Sequence, residues 1–150
     1  MKAMGIIFAN IYDSSLGELT NKRTIASLPY GGRYRQIDFT LSNMSNSGIR
    51  HIGVITKYNY QSLMNHIGSG QEWDLDLEEG PPFAMGHNGS YRGKLEALNS
   101  AMVFLENSLE EYVILADSNV LCNIDLEKVL ERHVASGKDI TVVVKEGIAN

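Results

Sequence analysis

Apolar residues in this chain gather into short unbroken runs, separated by stretches with helical spacing. Residues 3–9 (AMGIIFA), 51–56 (HIGVIT) and 112–116 (YVILA) are nearly all apolar, and polar residues follow each run. Runs of that length without polar alternation predict strands covered on both faces, as in a parallel sheet. A fourth run, residues 140–144 (ITVVV), is rich in β-branched residues and predicts another strand. Between the runs the period changes. Ile37, Leu41 and Met44 share one helical face within residues 35–47, which ends near Gly48, and Leu95, Leu98, Met102 and Leu105 do the same within residues 94–107. Leu126, Val129, Leu130, His133 and Val134 form a third stripe, with Asp125 placed as its N-cap and Gly137 as its stop. Strand and helix in alternation predict an open, mostly parallel α/β sheet of the doubly wound kind, with helices on both faces.

Two connections are longer than the fold needs. About two dozen residues separate the first strand from the helix that begins near Arg35, and residues 68–93 hold six of the 14 glycines and two of the three prolines. Irregular stretches beyond roughly 15 residues are usually functional. The first of them leaves the carboxyl end of the first strand, where open α/β sheets place their ligands. The acidic run at 72–79 (EWDLDLEE) has two readings, a cation site or a solvated edge, and Trp73 within it is either an interface anchor or a pin for the loop.

Composition narrows the classes. With 150 residues, 43% hydrophobic and 21% charged, the chain is long enough to bury a core and too apolar for disorder. No apolar run approaches the roughly 18 residues of a membrane span, and the N-terminal run is too short for a signal peptide, so no membrane partner is expected and the cytoplasm is the expected compartment. The single Cys122 makes no internal disulfide and reads as a small apolar residue. His51, His66, His87 and His133 lie far apart, so no metal site is expected from them. Charge is uneven: residues 19–71 carry six bases against one acid, and residues 72–150 carry six bases against 15 acids, within a formal net charge of −5. The first part can attract an anion, while the acidic whole speaks against nucleic acid as a partner.

The candidate chemistry concentrates in residues 29–56 (PYGGRYRQIDFTLSNMSNSGIRHIGVIT). Gly31 and Gly32 permit a tight turn, and Arg33 and Arg35 bring guanidinium groups to a predicted helix start, a combination suited to phosphate. The alternative reading is a plain turn in which Arg35 pairs with Asp38 at i,i+3.

This segment, followed by Tyr58, residues 61–76 (QSLMNHIGSGQEWDLD), 90–98 (SYRGKLEAL) and 112–125 (YVILADSNVLCNID), resembles the bacterial glucose-1-phosphate adenylyltransferases, or ADP-glucose pyrophosphorylases. The resemblance runs in register from about Lys2 to Val144. It implies a nucleotide-diphospho-sugar transferase fold and a Mg²⁺-assisted reaction of ATP with glucose 1-phosphate, giving ADP-glucose and pyrophosphate for glycogen synthesis. It also implies that residues 1–150 are the N-terminal part of a nucleotidyltransferase domain, with the rest of that domain and a C-terminal left-handed β-helix absent from this chain.

Departures from the family pattern carry the functional expectation. Active members follow the first strand with a Gly-Gly-x-Gly-x-Arg-Leu loop; here the remnant runs from Asn10 through Asp13, with no glycine before Gly17. Bulky side chains and the Asp13 charge disfavour triphosphate there. Active members carry Arg-Ala-Lys-Pro upstream of the Gly31–Gly32 turn, where this chain has Arg23 followed by Thr24, Ile25 and Ala26, and Ile25 supplies no cation. The Gly-Asp-His that holds Mg²⁺ in the family reads Asp117, Ser118, Asn119 here, with the carboxylate one place upstream, where a side chain points to the other face. Asp117 then reads as a cap or turn residue. Tyr91, Arg92 and Gly93 keep the family's helix entrance, but Lys94, Leu95 and Glu96 replace its Thr-Ala-Asp, and Leu95 reads as core. These losses match the family's non-catalytic subunit type, which partners a catalytic adenylyltransferase subunit. The expectation is a regulatory, catalytically deficient subunit with no catalytic residue and no bound metal or cofactor of its own. Arg33, Arg35, Arg50, Lys57 and Arg92 are its candidates for holding a sugar-phosphate or nucleotide effector. The alternative is an active sugar-phosphate nucleotidyltransferase using relocated groups such as Lys22 and Asp117.

Overall fold

The computed structural model describes residues 2–9, 16–75, 83–85 and 91–147. Its strands are β1 (Ala3–Phe8), β2 (Pro29–Tyr30), β3 (Tyr34–Arg35), β4 (Ile52–Thr56), β5 (Phe83–Met85) and β6 (Tyr112–Asp117). The helices are α1 (Gln36–Asn46), α2 (Gln61–Ile67), α3 (Lys94–Asn99), α4 (Met102–Glu106) and α5 (Leu126–Ser136). Four strands form one sheet in the order β5-β4-β1-β6, every pair parallel, and β2 with β3 makes a small antiparallel hairpin.

The apolar runs became strands because both faces of β1 and β4 are covered. On one face Ile7, Val54, Leu41, Met44, Leu63, Trp73 and Leu126 pack beneath α1, α2 and α5. On the other, Met4, Ile6, Phe8 and Ile55 meet Ala97 and Ala101, with Leu98, Phe104 and Leu105 partly buried against them. Helices therefore cover both faces, as the alternation predicted. Asp125 accepts the Lys128 backbone N–H at 3.2 Å and Gly137 ends α5 at φ 61°, the two boundaries expected for that helix. Trp73 is buried and meets His66 edge to face at 6.0 Å, which makes it a pin for its loop.

Four expectations are corrected. Residues 140–144 are not a strand: they carry no regular structure and pair with none of the sheet strands, and Ile140 is 82% exposed. β-Branched side chains favour a pleated surface only where a neighbouring edge is offered. Residues 94–107 are two helices rather than one. Ser100 donates its hydroxyl to the Ala97 carbonyl at 2.6 Å, and the Ala101 N–H turns to Leu98 at 2.9 Å, so the helical ladder is interrupted. Leu95, in the first turn of α3, is 85% exposed and not part of the core. Cys122 is exposed, not packed; its carbonyl accepts Asn43 Nδ2 at 2.8 Å. Strand β5 was not expected from the sequence at all.

At the amino end of the strands, His51 Nδ1 lies 3.1 Å from Glu110 Oε2, and Ser108 donates its hydroxyl to the same oxygen at 2.8 Å. Partial burial pushes the Glu110 carboxyl up, but the hydrogen bonds from His51 and Ser108 and the His51 charge outweigh it and hold the group below its usual range. The stabilisation is thus fully present above the ordinary carboxylate range and is lost as pH falls through the lower, folded value. Glu110→Gln is expected to lower the unfolding free energy by about 1–2 kcal/mol at neutral pH. Urea unfolding across pH should show the gap from wild type closing in acid.

Candidate functional site

The strand order fixes where a ligand fits. From β1 the chain moves to β4 and β5 on one side and reaches β6 on the other, so the order of strand addition reverses at β1, and its switch point lies between the carboxyl ends of β1 and β6. Open α/β sheets bind ligands in such a crevice. Residues 10–15, which leave β1, lie outside the described residues, and with them Asn10 and Asp13.

Ser118 closes the crevice floor. Its N–H donates to the Phe8 carbonyl at 3.1 Å, its hydroxyl to the Ala9 carbonyl at 3.2 Å, and it is 1% exposed. Asp117, one residue earlier, lies on the α3 side of the sheet, and Lys94 Nζ meets its Oδ2 at 2.6 Å. The same ammonium stands 5.6 Å from the Phe8 ring centroid. On the opposite face Thr40 of α1 donates its hydroxyl to the Asp117 carbonyl at 3.3 Å. Asp117 therefore caps no helix; it ends β6 ahead of the turn at residues 118–119, and its carboxylate is ion-paired. Beside it lies a hollow of about 120 Å³ lined by Phe8, Leu98, Leu115 and Ala116 as well as the Lys94–Asp117 pair.

Mg²⁺ is held through one or two carboxylates with near-octahedral oxygen geometry. At this strand end Ser118 brings a neutral hydroxyl already committed to a carbonyl, and Asp117 brings a carboxylate already facing an ammonium. That donor set does not fit a divalent cation.

The candidate cations do not converge. Arg33 is exposed at the β2–β3 hairpin, over the Tyr34 ring at 5.3 Å. Gly31 and Gly32 turn that hairpin with φ of 61° and 92°, a backbone that only glycine takes without strain. Arg35 sends its side chain to α2, donating from Nη1 to the Ser62 carbonyl at 2.9 Å and hydroxyl at 2.7 Å. Its backbone N–H donates to Asp38 Oδ2 at 2.9 Å, so the expected i,i+3 partnership exists through the backbone. Asp38 Oδ1 also takes His66 Nε2 at 2.6 Å. Lys57, just beyond β4, donates to the Tyr91 carbonyl at 3.3 Å and lies 5.6 Å from that ring's centroid. Arg50 precedes β4 and is ion-paired with Asp74, so the strand's rise sets it about 20 Å from Lys57. Arg92 is exposed, and its backbone N–H donates to Glu96 Oε2 at 2.7 Å. Ile25 opens a 3₁₀ turn (Ile25–Ser27), and Gly17 opens another (Gly17–Thr20).

Sequence reasoning missed two features. In the sequence Lys94 reads only as a substitution, and its partner lies 23 residues away; Asp38 and His66 are 28 residues apart. Only the unusual lysine at the entrance of α3 signalled either one in advance.

Comparison with known proteins agrees with this architecture. The model of the nucleotidyl transferase family matches residues 4–148. The chain is 36% identical over 149 residues to the glycogen biosynthesis protein GlgD of Bacillus subtilis, covering 96% of this chain and 43% of that protein. It is 35% identical over 150 residues to the glucose-1-phosphate adenylyltransferase of Pseudothermotoga lettingae, covering 97% of this chain and 36% of that one. The chain thus spans less than half the length of these relatives. A solved Bacillus anthracis structure described as a glucose-1-phosphate thymidylyltransferase in complex with sucrose shares the fold, with a TM-score of 0.72 and 22% identity over 90% of this chain and 51% of that one.

Proposed function

The chain belongs to the nucleotidyl transferase family, and from that premise we propose that it is a regulatory, catalytically deficient part of a glucose-1-phosphate adenylyltransferase complex in glycogen biosynthesis. The observation that carries this reading is Ser118: where the active pattern places a metal-binding carboxylate, this chain has a buried hydroxyl spent on the Ala9 carbonyl. Phosphoryl and nucleotidyl transfer depend almost entirely on positioning and on offsetting charge, so an uncharged residue at that point removes the larger part of the catalysis. Ile25 adds to the argument, since it cannot offset phosphate charge. The partner in this reading is a catalytic adenylyltransferase subunit, and a sugar phosphate or nucleotide acts as effector. The setting is the cytoplasm; among the described residues no helix is long and apolar enough to cross a membrane.

Mixing the chain with a purified catalytic adenylyltransferase subunit tests the reading. A change in kcat, in substrate affinity or in effector response of the catalytic subunit is expected. Kinetics identical with and without the chain would remove the regulatory role.

A further inference from the structure

We propose that Lys94 takes over the electrostatic task of a divalent cation in the β1–β6 crevice, so that a phosphate group of a small metabolite docks there without metal. The inference deepens the regulatory reading and rests on it, by naming the residue and the charge logic of an effector site.

The geometry supports it from three sides. Lys94 Nζ is held at the meeting point of α3, β1 and β6 by the Asp117 carboxylate at 2.6 Å and the Phe8 ring at 5.6 Å. A charge positioned by two separate elements is oriented before any ligand arrives. An ammonium has three donors, and the 2.6 Å contact occupies one of them. The Lys94 side chain is 41% exposed and lines the hollow, so the ammonium is accessible to solvent beside Asp117. Asp117 balances the lysine, so the pair itself carries no net charge. An arriving phosphate can share the ammonium through charge-assisted hydrogen bonds, and the apolar hollow formed by Phe8, Leu98 and Leu115 accepts the uncharged part of the same molecule. A divalent cation would have to displace Lys94 from Asp117 and would find no second carboxylate at Ser118.

Isothermal titration of the full chain with glucose 1-phosphate, and separately with ADP, tests this in a chelator and again in millimolar Mg²⁺. At least one probe is expected to bind with the same affinity in both buffers, and the two arms identify whether a sugar phosphate or a nucleotide is taken. Lys94→Gln should weaken that binding about tenfold or more, the loss expected for one charge-assisted hydrogen bond, and Lys94→Arg should restore most of it. Lys138→Gln, which changes an exposed lysine after α5, should leave binding unchanged. A thermal melt of each variant separates lost binding from lost fold. Neither probe binding, binding that requires Mg²⁺, or equal affinity in wild type and Lys94→Gln would each overturn the proposal. A chain that binds phosphate without metal but leaves a catalytic subunit unaffected would keep this inference and lose the regulatory one.

Discussion

Replacing Ser118 with aspartate is expected to destabilise the chain by about 3–5 kcal/mol and to create no metal site. The substitution writes back the residue type of active relatives, so its outcome separates a site that has only lost a side chain from one that has been rebuilt. Ser118 is almost fully buried, and its hydroxyl donates to the Ala9 carbonyl at 3.2 Å. An ionised aspartate has no proton to donate, so two acceptors would face each other in a dry position. Lys94 is not placed to rescue the new charge, because its ammonium meets Asp117 on the α3 side of the sheet, whereas the side chain at 118 is buried against the Ala9 carbonyl. Ser118→Ala is the control: it removes one hydrogen bond and should cost only about 1 kcal/mol. Urea unfolding measures both variants. An aspartate variant as stable as wild type that also binds Mn²⁺ would show that the strand end still accepts a metal.

Asp38→Ala is expected to lower stability by about 2–4 kcal/mol, the combined effect of a lost helix cap and a lost charged acceptor. Asp38 takes the Arg35 backbone N–H at 2.9 Å, closing the first turn of α1, and His66 Nε2 at 2.6 Å, tying α1 to α2. Both ends of this link are largely shielded from water, so neither partner regains full solvation when the carboxylate is removed. The hairpin that carries Arg33 leads directly into this cap, and Arg35 is bound to α2 through Ser62. Loss of Asp38 should therefore loosen the β2–β3 hairpin before the sheet, visible as faster amide exchange at Tyr34 and Arg35. Asp38→Asn keeps an acceptor for one of the two contacts and should fall between alanine and wild type.

The central sheet was legible because burial on both faces leaves a direct mark on composition. Residues 3–9 and 51–56 read directly as inner strands, whereas 112–116 carry the same apolar run but form β6 at the sheet edge, with Val113 44% and Leu115 50% exposed; α1 and α5 show their faces and ends through Ile37, Leu41, Asp125 and Gly137. Strand β5 left no such mark: three residues following two prolines carry neither a period nor a run. Residues 140–144 show the opposite failure. Their β propensity is high, but a strand exists only through hydrogen bonds to a neighbour, and propensity says nothing about whether one is in place. The break in residues 94–107 turned on a single serine hydroxyl competing for a backbone carbonyl, a contest that periodicity does not register.

The site was less legible for a related reason. Arg33, Arg35, Arg50, Lys57 and Arg92 looked like one basic set because they fall within a positive stretch or at a familiar turn. Topology then distributes them: Arg50 and Lys57 stand at opposite ends of the same strand, and Arg35 is consumed in joining two helices. The pair that does stand in the crevice, Lys94 with Asp117, joins residues that no local pattern connects. The shift of the carboxylate from position 118 to 117 is readable in the sequence, but β6 ends at Asp117 and Ser118 already belongs to the following turn, so the Lys94 partnership is not something strand alternation foretells.

The most direct test of catalytic deficiency is an assay of the purified chain alone for ADP-glucose formation from ATP and glucose 1-phosphate in Mg²⁺, with a catalytic adenylyltransferase subunit as the positive control. The account predicts no product above the protein-free blank at any chain concentration. ADP-glucose formed in proportion to the chain, and persisting after every trace of host enzyme is removed, would contradict it.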